Sequence, residues 1–221
     1  MRRKIIICSE SLKSSKPTES LLEKYSVDGE AIAGLLSNNV PALRQGEIEI
    51  KAVGFNGKAE FMREVPLFVF SKIKEYRHYN QPVQLFIIAL RDSDSSESRK
   101  IAGMRRQLIE KIKRRKIKKD EFERVHIMFA VQAIEAWVLA DEQRLNDYLG
   151  VTNKVKHEND PEQIANPKQL VQNLFEQCGQ TYEPDHLLNL LPQLRILELL
   201  RCTHFKELYQ CVEKICNAAL P

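Results

Sequence analysis

No CxxC pair, HExxH, GxGxxG, GxSxG or phosphate-binding GxxxxGK[ST] loop occurs in this 221-residue sequence. Their absence speaks against a zinc ribbon, a zincin, a dinucleotide enzyme, a serine hydrolase of the nucleophile-elbow type and a self-contained ATPase. Glycine and proline are scarce, at 8 and 9 residues without a period, which excludes collagen-like and low-complexity chains. The five cysteines, Cys8, Cys178, Cys202, Cys211 and Cys216, are odd in number and mostly in helical-looking sequence. We therefore expect free thiols rather than a disulfide framework or a zinc site. The longest apolar run, residues 85–90, is far below the roughly 20 residues of a membrane span. The basic start Met1-Arg2-Arg3-Lys4 leads into too short an apolar run for a signal peptide. It reads as a first strand, and the expectation is a cytoplasmic protein.

What is present is an ordinary globular composition, 43% hydrophobic and 29% charged. A chain of roughly this length buries about 70% of its unfolded surface and needs no covalent staples. The net charge of +4 permits a nucleic-acid partner without requiring one.

Residues 4–8 form a short β-rich run. A helical pattern starts at Thr18 after Pro17, with a second piece over 29–36. Residues 47–53 alternate with period two and predict a strand with one polar face. Residues 61–79 predict a helix that Pro66 kinks or starts. Residues 83–90 are almost continuously apolar, as in a central strand buried on both faces. Residues 98–116 predict a basic amphipathic helix, 125–131 another buried strand and 133–149 one or two helices. This order argues for a three-layer, Rossmann-like α/β fold with a mainly parallel sheet over residues 1–150. Residues 151–166 read as a polar loop containing His157. Helical patterns at 167–178, 186–202 and 205–220 predict a C-terminal helical subdomain over residues 151–221, packed on the sheet.

The most informative segment is Leu90-Arg91-Asp92-Ser93-Asp94-Ser95-Ser96-Glu97. Asp92 and Asp94 follow the end of a buried strand, the edge where open parallel sheets bind ligands. Alone, the segment reads first as a helix-capping turn. Glu10 after the first strand and Glu135 after the fourth bring further carboxylates to the same edge. Acids from three strand ends suit Mg²⁺ or Mn²⁺, which can polarise a phosphoryl oxygen or activate water. Glu19 reads as a supporting residue or part of a helix start. The next helix carries Arg105, Arg106, Lys111, Lys113, Arg114, Arg115, Lys116, Lys118 and Lys119, opposite apolar Met104, Leu108, Ile109 and Ile112. Its basic side is either a solvated face or a surface for backbone phosphates. His126 reads as a satisfied strand residue and Trp137 as core.

Two blocks carry a resemblance to a known family. Arg91-Asp92-Ser93-Asp94-Ser95 resembles the Arg-Asp-x-Asp-Ser block of the domain-of-unknown-function 4276 family. The stretch from His126 to Asp141, ending in Glu135-Ala136-Trp137-Val138-Leu139-Ala140-Asp141, resembles its acidic, aromatic, Leu-Ala-Asp signature. Asn166-Pro167-Lys168-Gln169-Leu170 resembles its later Pro-Lys-x-Leu segment. The resemblance implies a TOPRIM-like fold related to the catalytic domains of topoisomerase-primases and OLD nucleases. It also implies Glu10, Asp92 and Asp94 as metal ligands, and Glu135 as a fourth acid serving as ligand or general base. Relatives are often encoded beside an AAA or ABC-type ATPase in presumed prokaryotic defence or repair modules. The chain departs from the family's Glu-Gly-x-Thr-Glu: it has Ser9-Glu10-Ser11, then an insertion before Pro17-Thr18-Glu19.

The resulting expectation is a Mg²⁺- or Mn²⁺-dependent nuclease on DNA or RNA. Arg91 is expected to contact phosphate or neutralise the acids. Arg105, Arg106, Lys113, Arg114 and Lys116 are expected to bind the strand. The alternative is a catalytically degenerate module that partners an ATPase. A phosphatase or nucleotidyl transferase on a small substrate is a third class, which Asp-x-Asp alone does not exclude.

Overall fold

The computed structural model describes residues 2–10, 26–78, 83–152 and 160–218. The expected helix start at Thr18, with Glu19, and His157 of the expected loop lie outside those residues. Four strands, β1 (Arg2–Ser9), β2 (Ile48–Gly54), β3 (Val83–Asp92) and β4 (Val125–Ala130), make one parallel sheet in the order β2-β1-β3-β4. The helices are α1 (Val27–Asn39), α2 (Pro41–Arg44), α3 (Gly57–Arg77), α4 (Ser98–Lys113), α5 (Lys119–Phe122), α6 (Glu135–Ala140), α7 (Glu142–Leu149), α8 (Pro167–Gln177), α9 (His186–Leu190), α10 (Ile196–Leu199) and α11 (Thr203–Asn217).

The central strands β1 and β3 read as unbroken apolar runs because helices cover both faces of the sheet. Register sets Ile5 beside Ile50 and Phe86. Ile5, Ile7, Phe86, Ile88 and Leu90 belong to one core layer, and Ile6, Cys8, Leu85, Ile87 and Ala89 to the other. This is the two-residue alternation of a strand made visible by burial. Helices α3 and α4 fill the second layer through Phe61, Val65, Phe68, Val69, Ile101, Leu108 and Ile112. The first layer holds α1 and α6. The C-terminal helices join that same layer: Val171, Phe175, Leu187, Leu199, Phe205 and Leu208 share its core with the sheet. The result is a three-layer, Rossmann-like α/β fold with helices added on one side.

Two long-range bonds show how local defects are resolved. Pro66 lies inside α3, which nevertheless runs on to Arg77. Proline lacks the N–H that would bond the carbonyl four residues earlier, that of Met62. The Lys111 ammonium of α4 donates to this carbonyl at 3.1 Å. The second bond set joins the two ends of the described fold. Buried Arg3 of β1 donates to the carbonyls of Ile215, Cys216 and Ala218 at the end of α11. Those carbonyls have no partner within the helix, and the helix dipole favours a cation there.

All five cysteines are free, with Cys8 and Cys202 buried. Among the described residues, no helix is long and apolar enough to cross a membrane. His126 departs from expectation. It is half-buried on β4, its Nε2 has no hydrogen-bond partner, and burial together with Lys214 lowers its pKa.

Candidate functional site

The chain leaves β1 through α1 to reach β2 on one side, then returns through α3 to β3 on the other side of β1. Ligand crevices in open parallel sheets form beyond the carboxyl ends of strands at such a reversal. Glu10 lies directly after β1 and Asp92 is the last residue of β3. Glu135 is in the first turn of α6, after β4.

Short hydrogen bonds hold this edge in shape. The Ser93 N–H donates to the Ala130 carbonyl at 2.9 Å, and the Asp94 N–H to the Gln132 carbonyl at 3.0 Å. The Ser93 hydroxyl accepts from the Gln132 N–H at 3.0 Å and donates to the Ser95 carbonyl at 2.5 Å. The loops after β3 and β4, which carry Asp92 and lead to Glu135, are thereby clamped together. On the other side, the carbonyls of Ser9 and Glu10 accept from the N–H groups of Phe55, at 2.9 Å, and Gly57, at 3.0 Å. Gly57 has a φ of +71°, a left-handed value that glycine adopts without strain. Ser26 caps α1 by accepting from the Gly29 N–H at 2.9 Å, and its hydroxyl contacts that of Ser9.

Helix α1 approaches the sheet closely at Gly29. A Cβ there would lie 2.8 Å from the Ala52 Cβ and 3.0 Å from the Ser26 Oγ. Gly29→Ala is therefore expected to destabilise the fold by about 1–3 kcal/mol, the usual cost of overpacking. Denaturant unfolding tests this, and an unchanged midpoint would refute the close-packing argument.

Asp92 is the electrostatic centre of the site. It is half-buried. Loss of water pushes its carboxyl well above the usual range, and the charges of Asp28, Glu135 and Glu10 add to that. Lys168 at the start of α8 acts in the opposite direction. Loss of water also raises the Glu10 carboxyl, against the pull of Arg91 and Lys58. The Arg91 Nε lies 2.5 Å from the Glu10 Oε1. Both atoms are buried, yet the contact is an ion pair without the alignment of a hydrogen bond. Glu135 is 4% exposed and accepts from the Tyr182 hydroxyl at 3.1 Å. Burial and the Glu135 charge raise the Tyr182 phenol's pKa, so it stays a donor.

The structure thus brings Glu10, Asp92, Glu135 and Arg91 to one edge. Asp94 is half-exposed, has a φ of +49° and contacts the Lys58 ammonium. Among the described residues, no three His, Cys, Asp or Glu side chains stand close enough to hold a metal ion as they are placed.

Three participants escaped the sequence reading. Asp28, in the first turn of α1, is the strongest neighbouring charge on Asp92. Its signal was available in Ser26-Val27-Asp28, a capping serine and a first-turn acid before a helical run. Lys58 gave only the appearance of a surface lysine. Tyr182 lies between helices and gave no signal.

The basic residues of α4 divide between its two flanks. Arg105 and Arg106 line a cleft beside α11. Arg114 lines a hollow beside α3 with Arg63, Lys111 and Arg115. The Lys113 ammonium lies over the Phe122 ring at 5.2 Å, and Lys116 follows the helix with a φ of +55°.

Two other acids are structural. Asp141 is fully buried and is held by Arg195. Glu162 is also buried; it accepts from the Trp137 indole at 3.3 Å and the His204 N–H at 3.1 Å, and pairs with the His204 ring at 3.0 Å. Trp137 itself is core, as expected, packed edge-on against Phe205.

Comparison with curated proteins and with solved structures finds no match for the chain. A family model does match it, over residues 36–213, which take in β2 to β4 and nearly all the C-terminal helices. On that match the chain belongs to the family described as Domain of unknown function (DUF4276).

Proposed function

We propose that this protein is a TOPRIM-like, Mg²⁺- or Mn²⁺-dependent phosphodiesterase acting on DNA or RNA. The observation that carries the reading is Asp92, placed at the sheet's reversal point among Asp28, Glu135 and Glu10. Such crowding costs stability unless something positive offsets it. The donors are carboxylate oxygens, the ligands that Mg²⁺ and Mn²⁺ favour. Glu10 Oε1 is buried without an aligned donor. The donor chemistry therefore suits a divalent cation, which would have to draw the carboxylates together from the positions they hold here.

In this reading Glu10, Asp92 and Asp94 would hold the cation, in place of the contacts of Glu10 with Arg91 and of Asp94 with Lys58. A bound Mg²⁺ supplies polarisation of a phosphoryl oxygen and activation of water. Glu135, oriented by Tyr182, accepts the proton of the attacking water. Arg91 would then be available to contact the phosphate. Arg105, Arg106, Lys113, Arg114 and Lys116 neutralise backbone phosphates, with affinity that falls steeply with salt. The setting would be a cytoplasmic defence or repair module with an AAA or ABC-type ATPase.

Two observations favour the second reading, a non-catalytic partner module of such an ATPase. Glu10 is tied to Arg91 and Asp94 to Lys58, and the glycine after Glu10 is missing. Thermal unfolding with Mg²⁺, Mn²⁺ or EDTA, paired with cleavage assays on single- and double-stranded substrates, separates the two. At about tenfold excess over Kd the cation is expected to raise Tm by roughly 3–5 °C. Asp92→Asn and Asp94→Asn should lose that rise and the cleavage while remaining folded. Cleavage unchanged in both variants would end the catalytic assignment. A metal-insensitive Tm without cleavage would favour the partner module.

A further inference from the structure

A second concave site lies away from the acids, on the flank of α4 that faces α11. Its volume is about 410 Å³, within the range of roughly 300–1,000 Å³ typical of ligand pockets. Ser98, Ile101, Ala102, Arg105, Arg106 and Ile109 line one side, and His204 and Glu207 the other. The cleft lies between α4 and the start of α11. Helix α4 follows the short loop after Asp92, and the Arg105 guanidinium stands 5.8 Å from the centre of the ring of Phe129, the penultimate residue of β4.

Arg105 is held but not satisfied. Its Nε is buried and has no hydrogen-bond partner, and its nearest acid, Glu207, is 3.8 Å away. The contact with Phe129 lies within cation–π range. Arg106 is exposed one residue along. The His204 ring is hydrogen-bonded to buried Glu162, which raises its pKa despite burial and the nearby Arg105. Glu162 is already engaged by His204, which leaves two guanidinium groups facing one acid, Glu207. Planar forked donors of this kind match phosphate oxygens. Ile101, Ala102 and Ile109 supply an apolar wall that bare phosphate would not use.

We propose that this cleft binds the phosphate of a nucleotide unit, with Arg105 and Arg106 on the phosphate oxygens and Ile101, Ala102 and Ile109 against the sugar and base. The inference is independent of hydrolysis at the acids. The same chemistry is offered by a free nucleotide and by one residue of a strand.

Calorimetric titration in EDTA separates these sources, with inorganic phosphate, a nucleoside 5′-monophosphate and a short single-stranded oligonucleotide as probes. The monophosphate is expected to bind more tightly than phosphate if free nucleotides are the ligand. Tight binding by the oligonucleotide alone assigns the cleft to a strand. In either case Arg105→Gln and Arg106→Gln should each weaken binding about tenfold or more. Glu207→Gln removes the competing acid and should tighten it a few-fold. Binding by both arginine variants equal to wild type, weaker or unchanged binding by Glu207→Gln, or no binding of any probe would overturn the proposal. If Arg105→Gln fails to fold, exposed Arg106 and half-exposed Glu207 carry the test. With metal chelated throughout, a failure of the phosphodiesterase reading leaves this outcome unaffected.

Discussion

Arg195→Met is expected to destabilise the protein by about 3–5 kcal/mol, the cost of leaving a buried charge without its partner. Asp141, at 0% exposure, receives the Arg195 N–H at 2.7 Å, its Nε at 3.0 Å and its Nη2 at 2.6 Å. Arg195 is 40% exposed and also donates to Gln143 at 2.8 Å. The pair is asymmetric in solvation, so its two deletions should differ. Removing the arginine strands a carboxylate that water cannot reach. Removing the carboxylate releases a guanidinium that can rehydrate. Asp141→Ala should therefore cost less, about 1–3 kcal/mol, from lost bonds and the lost cap on α7, where Asp141 accepts from the Arg144 N–H at 3.3 Å. Denaturant unfolding of both variants and of the double variant tests the argument. An Asp141→Ala loss equal to or greater than that of Arg195→Met would show that the carboxylate is not the stranded partner.

Asp141 also shows what sequence makes legible. The block ending in Leu139-Ala140-Asp141 helped to mark the family, but its final acid is a latch between α6, α7 and the segment before α10. The central strands β1 and β3 were readable because burial on both faces turns them into apolar runs, and edge strand β2 because one polar face leaves an alternation. The site was readable only as far as topology carried it. Glu10, Asp92 and Glu135 each follow a strand, and parallel strands share one carboxyl edge. Asp94 was expected beside Asp92, yet the left-handed turn at Asp94 gives it to Lys58. Alternation along a strand predicts direction, whereas a loop residue takes its direction from tertiary bonds such as those of Ser93. Tyr182 reaches Glu135 from 47 residues away, and such pairings have no local signature. The α4 cations looked like one face because the helix was considered without α3 and α11. Helix α3 on one side and the cleft towards α11 on the other leave two separate flanks.

Asp92→Asn is expected to raise Tm in EDTA at mildly alkaline pH, although the residue is the centre of the proposed site. Its carboxyl in the native state lies well above its ordinary value of 3.8, because burial removes water and Asp28, Glu135 and Glu10 add negative charge. Below pH 3.8 both the folded and unfolded forms are protonated, and the residue costs nothing. As the pH rises, the unfolded chain releases the proton first, and wild type loses stability relative to the asparagine variant. The loss grows until the pH passes the native-state value and is constant above it. Because Asp92 is only half-buried, the gain on substitution should be modest, about 0.5–2 kcal/mol. That is roughly 1–8 °C in Tm for a chain of this size. Mg²⁺ should narrow the gap from the wild-type side, since a cation relieves the crowding that the substitution removes. Thermal unfolding of both proteins across the acidic to alkaline range, with and without chelator, measures the difference. A variant less stable than wild type at alkaline pH in EDTA would mean that Asp92 acts as a structural acceptor. In that case the crowding at the sheet edge would need no cation, and the central argument for a metal site would fall.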